Sequence, residues 1–195
     1  MCDNIRVDRI YRKFRNNNIK WTRISQIDKN IFIGGVPFPE SNSYEVDKSP
    51  HYLLQKYKIN YIISITSDHV DWNIPKNIRY IHFVMDDNER VNINNIFDIS
   101  ANFIREAVDN GGRILIHCQA GMSRSVSLVC AYYLKFGLPS PGGRYKVLFR
   151  ERATLEQIID FIRSSRNFAM PNRGFLCQLM NYEMDLKRKS LKRSL

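Results

Sequence analysis

Between positions 114 and 136 the chain passes from a short apolar run, through a loop containing glycine, into a strongly apolar helical pattern with no spacer. Ile114-Leu115-Ile116 offers no polar face, so a strand here must be covered on both sides, as in the interior of a parallel sheet. The run from Ser125 to Phe136 is too apolar for a helix with a wet face, and Gly137 ends it. A buried strand feeding a buried helix restricts the chain to α/β layering, with helices covering a sheet. The remaining sequence repeats the alternation. Positions 31–33, 61–65 and 80–84 read as strands, the last two as buried ones. Positions 53–57, 93–108 and 155–162 read as helices, and Pro171-Asn172 opens a last one with Phe175, Leu179 and Tyr182 on one face. Residues 36–50 and 137–153 carry the prolines and glycines of irregular loops. A length of 195 residues allows one domain with a real core and not two full-sized ones.

The chemistry lies in the loop His117-Cys118-Gln119-Ala120-Gly121-Met122-Ser123-Arg124-Ser125. A short loop that curls ahead of a helix N-terminus turns its backbone N–H groups inward, and the helix dipole adds positive potential, which makes a cradle for a phosphoryl group. Gly121 permits a backbone conformation and an approach that a side chain would block. The same field favours the nucleophilic thiolate of Cys118. The Arg124 guanidinium can hold two phosphoryl oxygens at once.

Cys118 and Arg124, with five residues between them, after His117 and before Ser125, resemble the signature of the cysteine-based phosphatases. The wording His-Cys-Gln-Ala-Gly-Met-Ser-Arg-Ser is most similar to the dual-specificity protein phosphatases. The likeness extends to Ile31-Phe32-Ile33-Gly34-Gly35, to positions 57–65, to Leu155 through Arg166 and to Pro171-Asn172-Arg173-Gly174-Phe175. It implies a single domain with a central, mostly parallel, twisted sheet flanked by helices. The expected organisation is a basic helical extension at 1–20, a catalytic domain at 21–186 with an insertion at 137–153, and a basic tail at 187–195.

The resemblance also implies the reaction. Cys118 attacks phosphorus while Arg124 and the amides of Gln119, Ala120, Gly121, Met122 and Ser123 hold the oxygens. A carboxylic acid from another loop protonates the leaving oxygen. Within Phe83 to Ile93, the family's spacing to the following helix selects Asp87, with Asp86 as the alternative. Ser125 hydrogen-bonds the sulfur and helps it leave, and His117 buttresses the loop. No metal or other cofactor is required. Substrates are expected to be phosphotyrosine and phosphoserine or phosphothreonine in proteins. An RNA 5′-phosphatase and a non-catalytic phosphopeptide binder are the competing readings. Ser125, where RNA-directed members carry Thr, and the intact Cys118, Arg124 and Asp87 weigh against them.

Charge points elsewhere. The net charge is +11, but residues 1–23 hold seven Arg/Lys against two Asp, and residues 187–195 hold five Arg/Lys and no acid. The body between is nearly neutral. The basic ends are expected to address the chain or dock it to an acidic partner or nucleic acid. Val7, Ile10, Tyr11 and Phe14 give the first segment an apolar stripe. That helix is expected to pack on its own domain, or else to dock on a partner chain, a second copy in a homodimer, or a membrane surface. The N-terminus lacks the apolar core of a secretory signal, and no run is long enough for a transmembrane helix. A cytoplasmic or nuclear location is therefore expected, with all four cysteines reduced. Cys130 reads as core, and a regulatory disulfide with Cys118 is the alternative for Cys2, Cys130 or Cys177.

Overall fold

The computed structural model describes residues 3–14, 23–35, 50–68, 74–139 and 153–192. Five strands, β1 (Ile24–Gln26), β2 (Ile31–Gly34), β3 (Tyr61–Thr66), β4 (Arg79–Val84) and β5 (Ile114–His117), form one sheet in the order β1-β2-β5-β3-β4. β1 runs antiparallel to β2, and the other pairings are parallel. The apolar run at 114–116 thus becomes the central strand. Its alternation divides the core. Ile114 and Ile116 join Ile31, Ile33, Ile63 and Ile65 on the face covered by the main helical layer. Leu115 joins Phe32, Ile62 and Leu54 on the other face, where α2 (Pro50–Lys56) lies. β4 is an edge strand, with Val84 57% exposed, so the expectation that positions 80–84 form a buried strand is corrected. An apolar run does not reveal that its strand lacks a neighbour on one side.

The main layer contains α3 (Phe97–Asp109), α4 (Arg124–Phe136), α5 (Leu155–Ser165) and α6 (Arg173–Lys192). α4 touches α3, α5, α6 and β5, which is why eleven of its thirteen residues are buried. α5 starts with a reciprocal cap between Thr154 and Gln157. The pattern at 93–108 resolves into a 3-10 turn at Asn94–Ile96 followed by α3, because Ile93 is drawn into the core ahead of the helix. α6 continues through Lys192, so most of the segment expected as a tail from 187 is helical. Among the described residues no helix is long and apolar enough to cross a membrane.

α1 (Asn4–Phe14) packs on its own domain, with Val7, Ile10 and Phe14 buried in the main core. Its basic residues are held by the body. Arg6 lies between Glu156 (2.6 Å) and Glu183 (2.8 Å), and Lys13 pairs with Asp160. The irregular segment at 36–50 and the insertion at 137–153 fall almost wholly outside the described residues.

Candidate active site

Because β3, β4 and β5 are parallel, their C-terminal ends meet at one edge of the sheet, the position where open α/β sheets gather ligand groups. Ser67 follows β3, Met85 to Asp87 follow β4, and Cys118 follows β5. Arg124, the first residue of α4, reaches across these ends. One terminal nitrogen, Nη1, donates to the Met85 carbonyl at 2.7 Å and lies 3.4 Å from Ser67 Oγ. The guanidinium is buried, and its Nη1 is aimed by neutral groups.

Residues 118–124 close a tight loop. Gly121 has φ +64, and a Cβ there would stand 2.4 Å from the Gly34 carbonyl oxygen, so both its handedness and its close approach demand glycine. The Gly121 amide donates to Cys118 Sγ at 3.2 Å, and Ser125 Oγ lies 3.3 Å from the same sulfur. Two polar hydrogens can therefore stabilise negative charge on sulfur. The carbonyls face the other way, toward Arg166. This 1% exposed guanidinium donates from Nε to Gly121 O (2.6 Å), from Nη2 to Ala120 O (3.1 Å) and from Nη1 to Ser25 Oγ (3.1 Å). A peptide plane whose C=O is anchored on one side presents its N–H on the other, so Arg166 aims the cradle from behind. Burial pushes its pKa down to about 10, while the nearby Cys118 works against that shift.

Asp87 joins the loop. Its Oδ1 accepts from Ser123 Oγ at 2.7 Å and from Asn172 Nδ2 at 2.8 Å, and its Oδ2 lies 3.4 Å from Arg124 Nε as an ion pair. Asn172 is itself fixed: its backbone N–H donates to Ser123 Oγ, and its side-chain oxygen accepts from Phe175 N at the start of α6. The Tyr11 hydroxyl of α1, its pKa pushed up to about 12 by burial, donates to the neighbouring Pro171 carbonyl at 3.0 Å. Asp86 is exposed and makes no side-chain hydrogen bond or ion pair among the described residues.

His117 sits behind Cys118 at the end of β5, fully buried, with Nε2 2.5 Å from Ser64 Oγ on β3. Burial lowers its pKa to about 4, so the ring is neutral near neutral pH. Gln119 and Ala120 are exposed and Met122 is half-buried. Cys118 and Cys130 are free thiols, and burial among apolar side chains pushes the Cys130 thiol up. Cys177 is disulfide-bonded, so the expectation that all four cysteines stay reduced does not hold for it. Pairing depends on which thiols the fold brings within reach, which composition does not reveal.

The structure thus brings Cys118, Gly121, Ser123, Arg124, Ser125 and Asp87 together, with His117 behind them and Asp86 apart. Sequence reasoning assigned no role to Arg166, Asn172, Ser67 or the Met85 carbonyl. Arg166 and Asn172 lay in segments already matched to a family, but nothing local shows that an arginine is buried or an asparagine turned inward.

Comparison with known proteins agrees with this geometry. The model of the dual specificity phosphatase catalytic domain matches residues 43–140. Dual specificity protein phosphatase 1 of Arabidopsis thaliana is 28% identical over 187 residues, covering 94% of this chain and 78% of the relative. The crystal structure of DUSP15 superposes with a TM-score of 0.64 at 26% identity, covering 87% of this chain and 96% of that one. The human tyrosine phosphatase-like serine/threonine/tyrosine-interacting protein superposes with a TM-score of 0.65 at 28% identity, covering 84% and 98%.

Proposed function

This chain belongs to the dual specificity phosphatase family and is a protein phosphatase, and from that premise we propose that it hydrolyses phosphotyrosine and phosphoserine or phosphothreonine through a cysteinyl-phosphate intermediate. The observation that carries the reading is the convergence of Asp87, Ser123, Arg124 and Ser125 around the Cys118 loop. The sulfur attacks phosphorus in line and the bond to the substrate oxygen breaks. The Asp87 carboxyl gives that oxygen its proton, since an alkoxide or phenoxide leaves poorly at neutral pH. Arg124 and the loop amides stabilise the charge on the equatorial oxygens. Water then attacks the cysteinyl-phosphate. Asp87 takes the water's proton, and Ser125 Oγ donates to the departing sulfur.

The test offers purified protein a phosphotyrosine peptide, a phosphothreonine peptide and 5′-triphosphorylated RNA. Release of phosphate from both peptides and not from RNA is expected, and Cys118→Ser is expected to abolish it. Asp87→Ala should lower kcat on peptides by ~10²–10⁴-fold, and much less on an aryl phosphate with a good leaving group. Turnover of RNA alone, or undiminished turnover by Cys118→Ser, overturns the reading.

A further inference from the structure

A cleft of about 610 Å³ opens between α1, the end of α5 and the first turn of α6. One wall is Met122, between Gly121 and Ser123 in the phosphate loop, and the Met170 amide is tied to the Met122 carbonyl at 2.8 Å. The cleft therefore shares a wall with the cradle. Its floor is apolar, made of Phe14, Phe168, Met170 and the Tyr11 ring.

Three guanidiniums, those of Arg12, Arg163 and Arg173, line this floor against one carboxylate, Asp8. Asp8 is paired with Arg173. Arg163 donates to two neutral acceptors, the carbonyls of Ala169 (2.8 Å) and Phe14 (3.0 Å), and has no carboxylate within ion-pair distance among the described residues. Burial disfavours its charge and lowers its pKa. Arg12 is exposed and likewise has no ion-pair partner among the described residues. Two positive charges with no ion-pair partner among the described residues thus line the cleft beside the phosphate loop; Arg163 feels only the more distant Asp160 carboxylate, which is itself paired with Lys13. A carboxylate on a short aliphatic stem complements both features, with its oxygens between Arg12 and Arg163 and its methylenes on Phe14 and Phe168.

We propose that this cleft is a substrate subsite that takes an acidic side chain of the phosphoprotein, a few residues from the phosphorylated position. The inference rests on the protein-phosphatase reading of the cradle. A chain extends ~3.3–3.6 Å per residue, so a neighbour a few positions away reaches a cleft bounded by Met122. α1 supplies Tyr11, Arg12 and Phe14, which makes the N-terminal helix a specificity element.

The experiment uses one phosphotyrosine peptide in which Glu or Ala is placed in turn at each position within about four residues of the phosphotyrosine. At one or two positions Glu is expected to raise kcat/KM by ~5–10-fold over Ala, through KM, with the advantage shrinking as salt rises. Arg12→Glu, an exposed change with little consequence for folding, should erase that advantage and favour Lys at the same position. Binding of the same peptides to Cys118→Ser, read by fluorescence anisotropy, should show the same order of Kd. Equal kcat/KM at every position, or a Glu preference that survives Arg12→Glu, overturns the subsite and leaves the phosphatase reading standing. Hydrolysis of none of the peptides overturns the phosphatase reading and the subsite with it.

Discussion

His117 is a base buried where a proton would have to be carried without water. Its ring nitrogen meets Ser64 at 2.5 Å, and burial brings its pKa from 6.5 down to about 4. In the unfolded chain the ring titrates near its ordinary value, so between pH 6.5 and 4 the unfolded state binds more protons than the folded one. The stability tied to a neutral His117 is therefore complete above pH 6.5 and is lost as pH falls toward 4. A shift of this size corresponds to roughly 3 kcal/mol. Urea unfolding across that range should show stability falling with acid, and His117→Gln should flatten the fall. An unchanged slope would show that His117 stays charged or exposed. Arg166 makes the complementary case, a buried cation kept in place by carbonyl acceptors of the loop it supports. Removing either side chain disturbs Cys118 from behind without touching the substrate.

At the scale of elements, the first turn of α6 is locked to the loop that carries Asp87, the acid of the proposed mechanism. A Cβ on Gly174 would lie 1.9 Å from the Glu89 carbonyl oxygen, so no side chain fits unless one element moves. Asn172, two residues earlier, holds Asp87. Gly174→Ala should therefore push the acid loop and α6 apart and misplace Asp87 relative to Cys118. Displacements of about 1 Å cost up to ~10²-fold in rate. The expected outcome is a larger loss of kcat on phosphopeptides than on an aryl phosphate with a good leaving group. Equal losses on both would mean that the cradle itself, not the acid, had moved.

For the whole molecule, the +11 charge has two different uses. In α1, Arg6 and Lys13 are joined to Glu156, Glu183 and Asp160, so part of the basic N-terminus binds the chain to itself. Hydrogen bonding from Arg6 is the leading cause that holds the Glu156 pKa down to about 2, against the ordinary 4.5. This contribution is present above pH 4.5 and lost as pH falls toward 2. Arg6→Ala leaves the 3% exposed Glu183 with Lys187 as its remaining cation and should destabilise the fold by about 1–3 kcal/mol. Lys189→Ala, near the solvated end of α6, should stay within about 0.5 kcal/mol. Chemical denaturation of both variants checks the contrast. A similar small effect for both would mean that α1 adds nothing to the folded domain.

The residues themselves place Cys118, Gly121 and Arg124 on one loop, because strand, loop and helix are contiguous and the apolar pattern fixes their order. They also mark 61–65 and 114–116 as strands covered on both faces, since an unbroken apolar run is a local property, whereas the sheet order and the division of the core came from the structure. Asp87 and Asp86 are neighbours with the same chemistry, and only tertiary structure separated them by bringing Ser123, Asn172 and Arg124 to Asp87 and, among the described residues, no side-chain partner to Asp86. Arg166, the edge position of β4, the counter-ions of Arg6 and the disulfide of Cys177 likewise depend on partners distant in the chain. A burial pattern says that a side chain is covered. Which group covers it, and from which side, is set by the packing of elements that the local sequence does not encode.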